Sequence, residues 1–271
     1  MKSAKLITHN GKAHFDEFLA VALILAEHDD THFHIERREP TEEELDNPDI
    51  WVVDIGQRYQ PELKNFDHHQ DTSLKASFVL VAEHLQVDPY LRNAPWWSFK
   101  DEIDRRGGYK LADELGLESL EPLNSPLENF VLDLFAESPL SMYQQMKMFG
   151  KDQIETGKKM QQQIEFWKSC EQFMIKDKKV LLGLTDETMG SVEYCESLEE
   201  PPAVRITYDG RGEGWSLSTI KDAEGVDFSL LEGHEEIKFA HKNGFIAKTK
   251  KRIALEEVKK LVEKAIVNGH S

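Results

Sequence analysis

The chain has 271 residues, 39% of them hydrophobic and 31% charged, enough for one large domain or two ordinary ones with a sizeable core, and this composition argues against disorder. Its 50 acidic against 33 basic side chains give a net charge of −17, which argues against tight binding of long nucleic-acid duplexes and leaves a local basic patch or bound cations to reverse the sign inside one cleft. Two cysteines, Cys170 and Cys195, show no C-x-x-C spacing, the N-terminus has no signal core, and no apolar run approaches the roughly 20 residues of a membrane helix, so a reduced, cytoplasmic compartment is expected.

Residues 6–8 predict a short strand, followed by His9-Asn10-Gly11-Lys12-Ala13-His14-Phe15-Asp16-Glu17. From Asp16, a plausible N-cap, the apolar residues Phe18, Leu19, Ala22, Leu23 and Ala26 recur at helical spacing. His9, His14 and Asp16 therefore lie on a strand-to-helix loop. Residues 33–37 read as a second strand, 41–45 as a short capped helix, and 50–56 as a buried strand carrying Asp54 near its end. Strands alternating with short helices predict an α/β fold with a doubly wound, mostly parallel sheet, in which ligands collect beyond the carboxyl ends of the strands. His9 and Asp54 each follow a strand, and Asn65-Phe66-Asp67-His68-His69-Gln70 comes soon after.

Residues 77–84 and 95–104 predict two further helices. On the second, Asp101 and Asp104 share a face at i,i+3, and spacing does not choose between them as a cleft residue; a solvated face is the plain alternative for either. Glu121-Pro122-Leu123-Asn124-Ser125-Pro126 predicts the end of a first domain, 1–125. Met142, Met146, Phe149, Ile164, Trp167 and Met174 then mark a helical stretch over 141–175, within a connector of 126–176, as packing residues rather than a cofactor box. Gly150 and Gly157 are expected to interrupt it. A smaller α+β domain, 177–271, follows, with strands at 180–184, 204–208 and 215–220, an alternately apolar and basic segment at 237–248, and a closing amphipathic helix at 253–266. The glycines at 210, 212 and 214 lead into a strand, so they predict a hairpin turn and not a dinucleotide loop.

Eight of the 11 histidines precede residue 90. His9, His14, Asp16, Asp54, Asp67, His68 and His69, with one of Asp101 or Asp104, form a mixed imidazole and carboxylate set. Adjacent imidazoles behind a carboxylate need partners for both nitrogens of each ring, which a metal supplies; the alternative is a surface turn carrying two histidines. The mixture suits Mn²⁺, Fe²⁺, Co²⁺ or Zn²⁺ better than all-oxygen Mg²⁺ or Ca²⁺ cages. It is large enough for two metals sharing a carboxylate, which at about 3.5–4 Å apart hold a hydroxide and polarise a phosphoryl oxygen. H-E-x-x-H and G-x-S-x-G do not occur. From Lys238 to Arg252 there are six lysines or arginines and no acid, which predicts a phosphate or carboxylate patch or, alternatively, a solvated strand edge.

Thr8-His9-Asn10-Gly11-Lys12-Ala13-His14-Phe15-Asp16-Glu17, Val53-Asp54-Ile55-Gly56, Phe66-Asp67-His68-His69-Gln70 and Phe239-Ala240-His241-Lys242-Asn243-Gly244-Phe245-Ile246 together resemble the melanocyte-proliferating-gene (MYG1-like) exonuclease family. This is a branch of the DHH phosphoesterase superfamily, which includes RecJ-type exonucleases and manganese pyrophosphatases. The resemblance implies a DHH-like first domain in which His9, His14 and Asp54 hold one metal and Asp16, Asp54, His68 and Asp104 the other, Asp54 being the bridge. It implies that Asp67 orients an imidazole, that His69 faces the substrate phosphate, and that His241, Lys248 and Thr249 bind the phosphate or product end. Two divalent ions, manganese foremost, would serve a metal-dependent phosphodiesterase, an exonuclease acting on short single-stranded RNA or DNA through a bridging hydroxide. A phosphatase or pyrophosphatase for a small phosphoester or nucleotide, and a catalytically silent metal-dependent binding module, are the alternatives. A membrane partner is not expected, and a homo-oligomer is left open. His14 stands where many superfamily members carry aspartate, Arg105-Arg106 replaces the usual asparagine-glycine, and the glycine-rich segment before the Lys248-Thr249 pair is shortened to Ala247; these departures bear on substrate choice more than on metal binding.

Overall fold

Leu6 and Ile7 alternate across strand β1 (Lys2–Thr8) and enter different cores, which makes β1 an interior strand with apolar cover on both sides. The structure is a computed structural model and describes residues 2–120 and 125–267. Residues 121–124, part of the stretch expected to close the first domain, lie outside it. The chain divides into two compact units, Met1–Lys158 and Lys159–Ser271. The segment expected as a connector is thus shared between them.

In the first unit β1 is followed by α1 (Phe15–Glu27), β2 (Thr31–Arg37), α2 (Glu42–Leu45), β3 (Ile50–Val53), β4 (Tyr59–Gln60), β5 (Asn65–Phe66), α3 (Ser77–His84), α4 (Asp88–Leu91), α5 (Trp97–Arg106), α6 (Gly108–Glu114) and α7 (Pro126–Glu137), and α8 (Tyr143–Lys168) begins in it and ends in the second unit. The strand order is β2-β1-β3-β5-β4, parallel except for the short β4. One sheet face gives Leu6, Phe33, Trp51, Val53 and Phe66 to a core with Leu19 and Leu23 of α1 and Phe78 and Val81 of α3. Each such side chain contributes about 1.5–3 kcal/mol by leaving water. The opposite face buries Ile7 and Val52 with Leu45 of α2, so helices cover both faces.

Three sequence expectations are corrected here. Helix α1 begins at Phe15 with His14 at its N-cap, not Asp16, because the Glu17 carboxylate accepts the His14 N–H at 2.8 and 2.9 Å while Asp16 is engaged elsewhere in the fold. Gly150 and Gly157 do not interrupt α8. A Cβ at Gly150 would lie 2.2 Å from the Ala22 carbonyl oxygen, and one at Gly157 2.2 Å from that of Tyr90, so both glycines permit close approach of backbone to the helix. Helix α8 ends at Lys168, before 175, and residues 171–175 pair as a strand instead.

The second unit contains β6 (Glu171–Ile175), β7 (Lys178–Leu182), α9 (Ser191–Glu196), β8 (Val204–Tyr208), β9 (Trp215–Thr219), β10 (Ile237–Ala240), β11 (Ile246–Thr249) and α10 (Leu255–Ala265). Its sheet runs β10-β11-β9-β8-β7-β6, antiparallel except between β7 and β8. Helix α10 buries Val258, Leu261 and Val262 in one core with Val180, Val204, Ile206 and Leu217. Among the described residues no helix is long and apolar enough to cross a membrane.

Candidate metal centre

Strand β1 lies between β2 and β3, so the chain leaves β1 for β2 on one side and then crosses to β3 on the other, and the end residue Thr8 is registered against Val53 of β3. His9 and Asp54 therefore emerge side by side at the carboxyl ends of adjacent parallel strands, where the strand order reverses. Asp54 has φ 59, a left-handed conformation that disfavours a non-glycine residue by about 1–2 kcal/mol. This ends β3 before the predicted position and turns the Asp54 side chain into a buried cluster. Gly56, at φ 94, continues the turn.

Asp54 stands between two groups of donors. Its Oδ2 is 3.5 Å from His9 Nε2, and its Oδ1 is 3.5 Å from His68 Nε2 and accepts the Ser77 hydroxyl at 3.1 Å. His68 Nε2 is also 3.6 Å from Asp16 Oδ2 and 2.8 Å from Asp104 Oδ2. Asp16, Asp54, His68 and Asp104 can each offer one ligand atom within 4.8 Å of the others, and so can His9, His14 and Glu17. Asp101, the other carboxylate on that face of α5, instead accepts the Ala76 N–H at 2.8 Å and pairs with Arg105 at 3.0 Å. Asp16 is fixed from α3, accepting Ser77 N–H at 2.9 Å and Phe78 N–H at 2.5 Å. Ser77 and Glu17 are the members that sequence reasoning missed. Glu17 carries a weak signal, as one half of an acidic pair beside His14, whereas Ser77 carries none beyond its place at a helix start.

The donor set fits a divalent cation. His9 Nε2 and His68 Nε2 are both buried and neither is aligned for a hydrogen bond with any described group, although carboxylate oxygens lie 3.0 and 2.8 Å away. Burial, then the neighbouring charges of Asp54 and Asp104, push the Asp16 carboxyl well above the usual carboxylate range. The Glu17 carboxylate raises His9 to about 9 against the opposing effect of burial. Burial depresses His68, but Asp104 and Asp54 outweigh it and carry the imidazole to about 9. Crowded carboxylates with two protonated imidazoles among them mark a place where cationic charge is missing, which mixed nitrogen and oxygen ligation of a metal would supply.

His69 lies at the outer edge of that crowding, its Nδ1 3.7 Å from Asp54 Oδ1, and with Asp54 and His68 it forms a third set able to offer ligand atoms within 4.8 Å of one another. Its Nδ1 donates to Asp67 Oδ1 at 2.7 Å, and the Asp67 carboxylate also accepts N–H groups from His69 at 3.1 Å and Gln57 at 2.6 Å. Burial would raise Asp67, but these hydrogen bonds hold it below its ordinary value. The bond from Asp67 raises His69 in turn. His69 is 58% exposed and, with His9, His14, Asp54, Asp67 and Asp104, lines an open pocket of about 570 Å³.

Of the residues expected to contact phosphate from the second unit, His241 lies in the turn joining β10 and β11, its ring 4.1 Å from that of Phe245, and lines a pocket of about 640 Å³ with Lys238, Phe239 and Lys242. Lys248 Nζ is 2.5 Å from Asp209 Oδ1. Thr249 is fully buried, its hydroxyl accepting the Trp215 N–H at 2.7 Å and donating to the Lys251 carbonyl at 2.8 Å.

Residues 5–78 match the family described as Uncharacterised protein family (UPF0160), that of the MYG1 exonucleases. The chain is 43% identical over 72 residues to the human MYG1 exonuclease, covering 26% of this chain and 18% of that protein, and 42% identical over 74 residues to the mouse one, covering 27% and 18%. The match spans less than a fifth of these relatives' length. Over this segment, which holds His9, His14, Asp16, Glu17, Asp54, Asp67, His68 and His69, the chain resembles the MYG1-like family; Asp104 lies beyond it. The solved structure of RecJ in complex with Mn²⁺ from Thermus thermophilus overlaps 96% of this chain and 51% of its own, at 13% identity and a TM-score of 0.30.

Proposed function

We propose that the first unit is the catalytic part of a metal-dependent phosphoester hydrolase, a phosphodiesterase of exonuclease type acting on short single-stranded RNA or DNA. The observation that supports this reading most is the position of Asp54 between the His9 side and the His68 side of the cluster, with one carboxylate oxygen toward each. In this reading His9, His14 and Asp54 hold one divalent ion and Asp16, Asp54, His68 and Asp104 a second, with manganese suited to the mixed donors. Such ions supply Lewis-acid polarisation of a phosphoryl oxygen and lower the pKa of water.

The chain's own residues do the rest. Asp67 holds the His69 ring by Nδ1 and favours its protonated form, so that Nε2 is the nitrogen left for a substrate oxygen. A protonated His69 at the pocket wall stabilises charge that develops on the transferring phosphoryl group. The Ser77 hydroxyl holds Asp54 in place. Within the second unit, His241 is the expected phosphate contact that lines a pocket, whereas Lys248 is paired with Asp209 and the buried Thr249 hydroxyl is committed to Trp215 and Lys251.

A small phosphoester or nucleotide substrate is favoured by a different observation. The pocket holds about 570 Å³ and is lined by the carboxylates of Glu39 and Glu42, which repel a long polyanion. Assays on labelled oligonucleotides of several lengths with Mn²⁺ test both readings. Release of mononucleotides that Asp54→Ala abolishes is the expected result; no release from any strand, with hydrolysis of small phosphoesters only, selects the second.

A further inference from the structure

Arg37 closes β2 beside the end of β1, paired in register with Thr8, and its side chain is only 6% exposed. Its guanidinium lies 5.0 Å from the centre of the Phe135 ring, donates through Nη1 to the Gly11 carbonyl at 3.1 Å, and donates through Nη2 to Glu17 Oε1 at 3.3 Å. Glu17 is fully buried, accepts the His14 N–H on both carboxylate oxygens, and places Oε1 3.0 Å from His9 Nε2. The two side chains therefore touch the start, the apex and the end of the loop that carries His9 and His14. At the apex Gly11 has φ 84, a conformation that favours glycine.

A buried carboxylate needs a cation or several donors, and Glu17 has both. Its oxygens accept the His14 N–H and Arg37, which holds the loop, and Glu17 can offer a ligand atom beside His9 and His14 only from the position those bonds fix. His9 Nδ1 lies 2.8 Å from the Asn10 carbonyl, which only accepts, so that proton sits on Nδ1 and Nε2 is directed toward Glu17 and Asp54.

We propose that Arg37 and Glu17 are a positioning pair that sets the affinity of the His9–His14 side for a divalent cation, while the group formed by Asp16, Asp54, His68 and Asp104 does not depend on them. The inference rests on the metal-holding part of the proposed function and not on hydrolysis. Arg37→Lys keeps the charge but cannot span the Gly11 carbonyl and Glu17 together, because a single ammonium replaces the planar fork. Glu17→Gln keeps the shape and one acceptor oxygen but removes the charge.

Calorimetric titration of the full chain with Mn²⁺, with unfolding in EDTA followed in parallel, tests the pair. The wild type is expected to bind two ions. Arg37→Lys and Glu17→Gln are expected to weaken one of them by about 10–100-fold, leave the other within about twofold, and recover turnover when Mn²⁺ is raised. Titrations of both variants that match wild type overturn the proposal, as does equal weakening of both ions in Arg37→Lys or uptake of fewer than two ions by wild type. Should Glu17→Gln fail to fold in EDTA, Arg37→Lys decides alone. A wild type that binds two ions and hydrolyses no phosphoester removes the functional reading and leaves this one standing.

Discussion

Asp16 accepts the backbone N–H of Ser77 at 2.9 Å, so a carboxylate in the first turn of α1 anchors the start of α3 and at the same time belongs to the group of Asp16, Asp54, His68 and Asp104 proposed to hold a metal. Its other oxygen accepts the Phe78 N–H, also buried. Asp16→Ala strands both donors and is expected to destabilise the metal-free protein by about 2–4 kcal/mol, apart from any loss of metal. Asp104→Ala removes a partly exposed carboxylate that accepts no backbone N–H among the described residues, and its effect in EDTA is expected to be less than half as large. Urea unfolding of both variants in EDTA measures the difference; equal losses would show that Asp16 has no structural share.

The same residue shows where local reading stops. Asp16 reads as an N-cap from propensity because it precedes an apolar run, but its partner Ser77 is 61 residues away and outside any local window. His9 and Asp54 are legible as strand-end residues, since each follows an apolar strand and parallel sheets expose their ligand sites there. Their adjacency needs the strand order, which no spacing records. Glu17 looks like any acid in a first helical turn, and its complete burial follows from Arg37 on β2, a contact that depends on how the strands align. Gly150 and Gly157 look like helix breakers until the carbonyls of Ala22 and Tyr90 are placed against them.

Metal uptake should depend on pH. In the metal-free fold His9 and His68 are both raised to about 9, above an unfolded value of about 6.5. The stability they contribute is therefore fully present below about pH 6.5 and is lost as pH rises through about 9. A metal ion that takes these nitrogens must displace the protons, so affinity should climb roughly tenfold per pH unit for each proton released, up to about pH 9. At a free ion concentration of about 100 times Kd, binding should add about 2.7 kcal/mol per site. Titrations in two buffers of different ionisation enthalpy count the protons, and zero release at pH 7 would remove both imidazoles from the ligand set.

Lys248 has a measurable structural share whatever it does for a substrate. The Asp209 side chain is 1% exposed, and burial would raise its pKa, but the bond from Lys248 and the Arg211 N–H hold it below the ordinary value. A depressed folded value contributes stability above the unfolded pKa of about 3.9 and loses it as pH falls through the folded value. Lys248→Met leaves this carboxylate buried without its cation and should destabilise by about 1–3 kcal/mol at pH 7, discounted because Lys248 is partly exposed. The deficit should shrink as pH falls below about 4 toward the depressed folded value, where Asp209 of the wild type finally takes up its proton. Urea midpoints unchanged at pH 7, together with weaker substrate binding, would assign Lys248 to the substrate instead.

The Asp67 to His69 contact gives the sharpest test of the proposed chemistry. Asp67 raises His69 through the 2.7 Å bond to Nδ1, so Asp67→Asn should lower the His69 pKa toward about 6.5. If the protonated ring stabilises phosphoryl charge, the alkaline limb of the rate profile must move to lower pH in that variant, with the acid limb little changed. His69→Ala should abolish this limb and lower turnover by about 10²–10³-fold, the loss typical of one charge-stabilising donor, while both Mn²⁺ affinities stay near wild type. Rate profiles of the three proteins at saturating metal separate the roles. An alkaline limb that stays in place in Asp67→Asn would mean that the His69 proton is not used, whereas weakened Mn²⁺ binding in His69→Ala would move His69 from the substrate side to the metal side of Asp54.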